Sequence, residues 1–238
     1  FRRVLFRSDP NGEPWIAGGL PEITPEIQAK LDAIPEMTLS EQSATRNLRI
    51  VVDNSSEIYW RPIFSQSGGS CGQASGVGYL FTYEINLLRN LPSDVNENQY
   101  PTHYTWNYLN RGSGYGSWYY DGWDIIKDSG CPNRVIWGGM AGDPTKWMTG
   151  YDKYYSALHN KSLDYWYISV GTPDGLETFK HWLNDHNQAD DFGGLACFAA
   201  HIGGAQYDVL PNESAESGKK ILTSWGTSGY HAMTFVGY

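Results

Sequence analysis

The sequence predicts an α+β protein of two lobes. Three observations predict it. Helical periodicities come first along the chain. Short β-rich runs, split by Gly, Pro, Asn and Ser, come second. The length, 238 residues with 40% hydrophobic content, suffices for one large domain or two lobes sharing a cleft.

The elements follow in order. Residues 1–8, "FRRVLFRS", are basic and apolar in a chain of net charge −9. They read as the translation of a sequencing-adapter stretch and are set aside as non-native. Residues 9–49 are Pro- and Glu-rich and read as a leader, a spacer or the remnant of a prosegment. Within them "TPEIQAKLDAI" predicts one helix. Thr24 suits its cap, Pro25 its first turn, and Ile27, Leu31 and Ile34 share a face. "LRIVVDNSS" then enters the main domain, residues 50–238, as an extended segment. After Cys71, apolar and small residues recur at spacings of three and four (Ala74, Val77, Gly78, Phe81, Ile85, Leu88). That is a buried central helix, ending near Asn90 before Pro92. "WDIIKDSG" predicts a short helix stopped by Gly130, and a further helix spans Pro173 to His186. "YWYISV", "GLACFAAHI", "KKILTS" and "YHAMTFVGY" predict strands. The last run stops inside an apolar stretch, so truncation at the C-terminus is expected.

Composition excludes several classes. An aromatic fraction of 15%, with 10 Trp and 17 Tyr, is foreign to a disordered chain. The negative charge argues against nucleic acid and anionic membrane as partners. No apolar run nears the roughly 20 residues of a membrane span. Three cysteines (Cys71, Cys131, Cys197) form no disulfide framework. A Cys131–Cys197 pair and two separate buried thiols are both open.

Two nucleophiles sit side by side in "FSQSGGSCGQASGVGY". Gly68 to Gly72 satisfies G-x-S-x-G, with Ser70 as the nucleophile of a serine hydrolase. That motif requires a buried apolar strand leading into the serine, and "RPIFSQSGG" is not one. Cys71 begins the helix, where unpaired N–H groups and the dipole lower a thiol pKa. Gln66, five residues upstream, carries an amide suited to an oxyanion. Read alone, Cys71 fits a small structural cysteine better. A nucleophilic cysteine needs a base. His103, His159, His181, His186 and His201 have bland settings. His231 opens the apolar strand "HAMTFVGY" after a Gly-containing turn, and reads equally as structural or functional.

"QSGGSCGQASGVGYLFTYEIN" together with "YHAMTFVGY" resembles the papain-like cysteine peptidases, over Val51 to Tyr238. The resemblance implies a papain-like two-lobe fold. A central helix bearing Cys71 lies in an N-terminal helical lobe, and an antiparallel β lobe bears His231. It implies Cys71 as nucleophile, His231 as general base and then acid, and Gln66 as oxyanion donor. Peptide bonds would be hydrolysed through a thioester, with no cofactor and no metal. A polypeptide substrate, a monomer, a bacterial type and an extracellular or cell-surface location are expected.

The sequence departs from the family pattern in several places. Gln66 precedes Cys71 by five residues rather than six. Gly72 stands where the family has Trp. The first Cys of the family's C-G-x-C is missing. The Asn that orients the histidine is expected beyond Tyr238; "TSWG" (Thr223 to Gly226) imitates its block but lies ahead of His231. A different reading is a catalytically inactive domain binding peptide or glycan on Trp118, Tyr119, Tyr120, Trp123 and Trp166.

Overall fold

The computed structural model of the chain describes residues 19–112, 114–209 and 220–238. The set-aside residues 1–8, and the leader as far as residue 18, lie outside these.

Helix α1 (Pro25–Asp32) forms as its sequence dictates. Thr24 Oγ1 accepts from Ile27 N, and Pro25 occupies the first turn, where it forfeits no hydrogen bond. Its Ile27 and Leu31, with Ile34 just beyond, pack against the buried cluster that includes Leu20, Trp118, Tyr120 and Trp123. The leader then runs extended to α2 (Glu41–Ala44), capped by Ser40.

The helical lobe is built on one long helical run. It starts as α3 (Cys71–Gln73), widens to a π-wound segment over Ala74–Phe81, and returns to α-geometry in α4 (Thr82–Arg89). Side chains inserted at the backbone accompany the widening. Trp123 Nε1 donates to Gly76 O at 2.9 Å, and Thr82 Oγ1 donates to Val77 O at 3.1 Å. Asn90, left-handed at φ 54, ends the run. Around it stand α5 (Thr102–Leu109), α6 (Tyr119–Ser129), α7 (Arg134–Trp137) and α8 (Tyr151–Ala157). Val77, Phe81, Tyr104, Ile126 and Trp137 form their core. Helix α9 (Pro173–Asp185) follows, with Thr172 accepting from Gly175 N and His186 closing the end at φ 54.

Among the described residues the β part comprises two antiparallel pairs. Strand β1 (Ala196–Gly203) pairs with β4 (Ser228–Phe235), with Ala200 opposite His231. Strand β2 (Gln206–Val209) pairs with β3 (Lys220–Ser224). The expected extended segment is used here: Val52 and Tyr238 exchange backbone bonds of 2.9 and 3.0 Å, continuing the line of β4.

The structure corrects one expectation and decides two open readings. "YWYISV" is not a strand; it makes a single bridge, Tyr167 to Glu36 of the leader. The aromatic platform is mostly core. Trp118, Tyr120 and Trp123 are 3%, 1% and 8% exposed, because the start of α6 packs them into one cluster with Leu20, Cys71 and Ala232. The cysteines are not paired: Cys131 lies in the helical core and Cys197 on β1.

Candidate active site

Cys71 begins the central helix and is fully buried. Gly72 follows because nothing larger fits. A Cβ there would lie 1.9 Å from Ser117 O, so the Trp of the family pattern is excluded by backbone. One residue on, Gln73 is fully buried. Its Nε2 donates to Trp118 O at 2.7 Å and Ser117 Oγ at 3.1 Å, and its Oε1 accepts from Thr105 Oγ1. Gln73 therefore fixes the wall Ser117–Trp118 beside the cysteine. Sequence reasoning passed over it.

Strand β4 forms the opposite wall. Burial pushes the Cys71 thiol pKa up, while backbone hydrogen bonding from Ala232, Gly72, Cys71 itself and Leu20 opposes that rise. Ala232 immediately follows His231, so the predicted nucleophile and the residue after the predicted base meet at the backbone. Burial lowers the His231 imidazole pKa to about 4, which keeps it neutral near pH 7. The two walls are clamped one turn beyond Cys71. Ser75 Oγ donates to Met233 O at 2.7 Å and lies 2.7 Å from Thr234 Oγ1.

Gln66 is half-buried on the extended approach to the helix. Ser70 is buried, and its hydroxyl donates to Ser67 O at 2.8 Å. The serine thus serves the loop as a brace, and no apolar strand leads into it.

Gly19 and Leu20 of the leader lie between the walls. Leu20 N donates to Tyr230 O at 2.9 Å, and Leu20 is buried in one cluster with Cys71, Trp118 and Ala232. The approach is close on both sides of the segment. A Cβ on Gly19 would lie 1.6 Å from Tyr230 O, and one on Gly116 would lie 1.7 Å from Gly19 O. No local pattern in the sequence marks this dipeptide. Further along, the leader is held by side chains of the rest of the chain. Lys30 pairs with Asp121 and Asp124 of α6 at 2.7 and 2.8 Å. Ser43 Oγ donates to the buried Asp185 of α9, and Asn187 bonds Ser40 N and Thr38 O.

No family model matches the sequence, and no curated protein matches it. Among solved structures, xylellain, described as a cysteine protease from Xylella fastidiosa, superposes with a TM-score of 0.57 at 16% identity, over 93% of this chain and 79% of that one. The fold is papain-like. A second similar structure is the digestive procathepsin L 3 of the Tenebrio molitor larval midgut, with a TM-score of 0.45 at 16% identity over 88% and 72% of the two chains. In this papain-like fold the helical lobe and the antiparallel β1–β4 pair meet at Cys71 and Ala232. Among the described residues no group of three His, Cys, Asp or Glu side chains is placed to hold a metal, and no helix is long and apolar enough to cross a membrane.

Proposed function

We propose that the chain is a cysteine-type peptidase acting on polypeptides, with Cys71 as nucleophile, His231 as base and then acid, and Gln66 as oxyanion donor. The observation that carries this reading is the seating of the strand behind His231 on the turn that presents Cys71, with Ala232 buried in one cluster with Cys71. Residues 50–238 form the peptidase domain, and the leader precedes it.

The chemistry follows from these positions. His231 takes the thiol proton, and the thiolate attacks the carbonyl carbon of the scissile bond. The oxyanion receives hydrogen bonds from the Gln66 amide and the Cys71 backbone N–H. Collapse expels the amine, which leaves with the proton from His231. The remaining thioester is hydrolysed by water, with His231 again taking the proton and Cys71 regaining it. The helix start favours the thiolate through unpaired N–H groups. Burial under Leu20 opposes it, so the covered site holds a neutral pair.

The test is labelling of the full chain by a thiol-directed epoxide, located by peptide mass spectrometry. Modification at Cys71 that disappears in His231→Ala supports the reading. Modification of another cysteine, or equal labelling without His231, sinks it. A fluorophosphonate that labels Ser70 would support the serine hydrolase instead.

A further inference from the structure

The loop between Gln66 and Cys71 is one residue shorter than in the family it resembles. Its course is fixed by contacts outside the catalytic groups. Gly68 adopts φ +63, and its α-carbon is so close to the Trp106 indole that a Cβ would lie 2.7 Å from the ring. Ser70 Oγ closes the loop on itself through Ser67 O. The remaining anchor is external: Ser67 Oγ lies 3.1 Å from Nε2 of His103, on α5. His103 is 1% exposed, and its ring leans on Trp106 with centroids 4.6 Å apart. Its backbone N reaches Met140 O, as does Thr102 Oγ1 at 3.0 Å. A rigid, buried imidazole therefore grips a residue that is itself exposed, directly next to Gln66.

Neither residue touches the reacting atoms. A surface serine needs no buried partner for solubility, and of the two nitrogens of the buried imidazole it is Nε2 that meets Ser67, while Nδ1 lies buried without a hydrogen-bond partner. The pair makes sense as a register device. Sequence-adjacent placement means that a displacement of Ser67 moves the Gln66 amide with it. Displacement by about 1 Å is enough to cost on the order of a hundredfold in rate.

We propose that His103, acting through Ser67, is a positioning residue that sets the Gln66 amide at the oxyanion side of Cys71. The inference rests on the peptidase reading above. Burial lowers the His103 pKa, and the neutral ring can share a hydrogen bond with the Ser67 hydroxyl in either tautomer.

The test is a double-mutant cycle on the full chain, with a fluorogenic peptide amide as substrate. Ser67→Ala alters one exposed hydroxyl and should leave the fold intact, as checked by thermal melting. The expected result is a fall in kcat of about tenfold or more with KM nearly unchanged. Alkylation of Cys71 by iodoacetamide, which builds no oxyanion, should proceed at the parent rate. In a Gln66→Ala background the same Ser67→Ala change should cost almost nothing, because the group it positions is gone. His103→Gln, which retains a hydrogen-bonding group, should recover part of the rate lost in His103→Phe. Equal losses with and without Gln66, or no loss at all, would overturn the proposal while leaving the peptidase reading intact. A parent chain that neither cleaves the peptide nor reacts with the epoxide at Cys71 would overturn both.

Discussion

Ser75 Oγ donates to Met233 O across 2.7 Å, joining the helix that begins at Cys71 to the strand that carries His231. Both sides are held at one point, a single helical turn from the thiol. Ser75 is 3% exposed, and the hydroxyl also meets Thr234 Oγ1 and Cys197 Sγ. Ser75→Ala removes a buried partner from a carbonyl and a hydroxyl together. The expected cost is about 1–3 kcal/mol in urea denaturation, with kcat reduced more than KM. A variant of unchanged stability would show that water replaces the hydroxyl without penalty.

Gly19 admits no side chain beside Tyr230. Gly19→Val is therefore expected to lift the leader from the groove. Exposing Leu20 gives up roughly 1.5–3 kcal/mol of burial, so alkylation of Cys71 should quicken by on the order of ten- to a hundredfold. The alkylation pH profile should also move to lower pH, because burial is the main cause holding the thiol up. An unchanged alkylation rate would show that Leu20 does not guard the sulfur.

His231 predicts an acid limit to stability. Its folded pKa, about 4, lies below the ordinary 6.5, so between those values the unfolded chain binds more protons. Stability then rises with pH across that window and falls on acidification through it. The melting temperature of the parent should drop from pH 7 to pH 4.5 by more than that of His231→Gln. Parallel curves would place the acid sensitivity elsewhere.

His186 predicts the opposite slope. Its Nδ1 lies 2.9 Å from Phe192 O and its Nε2 2.8 Å from Glu84 Oε2, so both nitrogens must donate and the ring is cationic. Burial works against the charge, but the Glu84 carboxylate and these hydrogen bonds outweigh it and raise the pKa. The stabilisation is complete below pH 6.5 and is lost as pH rises through the folded value. Glu84→Gln should cost more stability at pH 6 than at pH 9. Equal losses at the two pH values would show that the clasp is not ionic.

Much of the fold could be read from residues that act locally. Thr24 and Pro25 start α1 where their chemistry requires, and the three-and-four spacing after Cys71 marks the central helix, although its first two turns are buried all round and Leu88 near its end is exposed. The π-winding could not be read, since Trp123 reaches Gly76 from 47 positions away. "YWYISV" misled because β-propensity reports fit to a pleated, half-buried surface, and the leader offered it only one bridge. The aromatic cluster read equally as platform and as core because composition carries no information about depth. The helix start at Cys71 and the strand at His231 were visible. Leu20 was not, because its pairing with Tyr230 spans the length of the chain. His103 looked bland for the same reason, its partner lying 36 residues earlier.

The seated Leu20 has a bearing on every future titration of this groove. A ligand for it must compete with a tethered rival whose concentration never falls on dilution. The measured affinity is the intrinsic one multiplied by the fraction of molecules in which the rival has withdrawn. A segment in place 99% of the time would weaken an inhibitor by about a hundredfold without a single contact being poor. Weak binding to the full chain therefore reports how often residues 19 and 20 are away as much as how well the ligand fits.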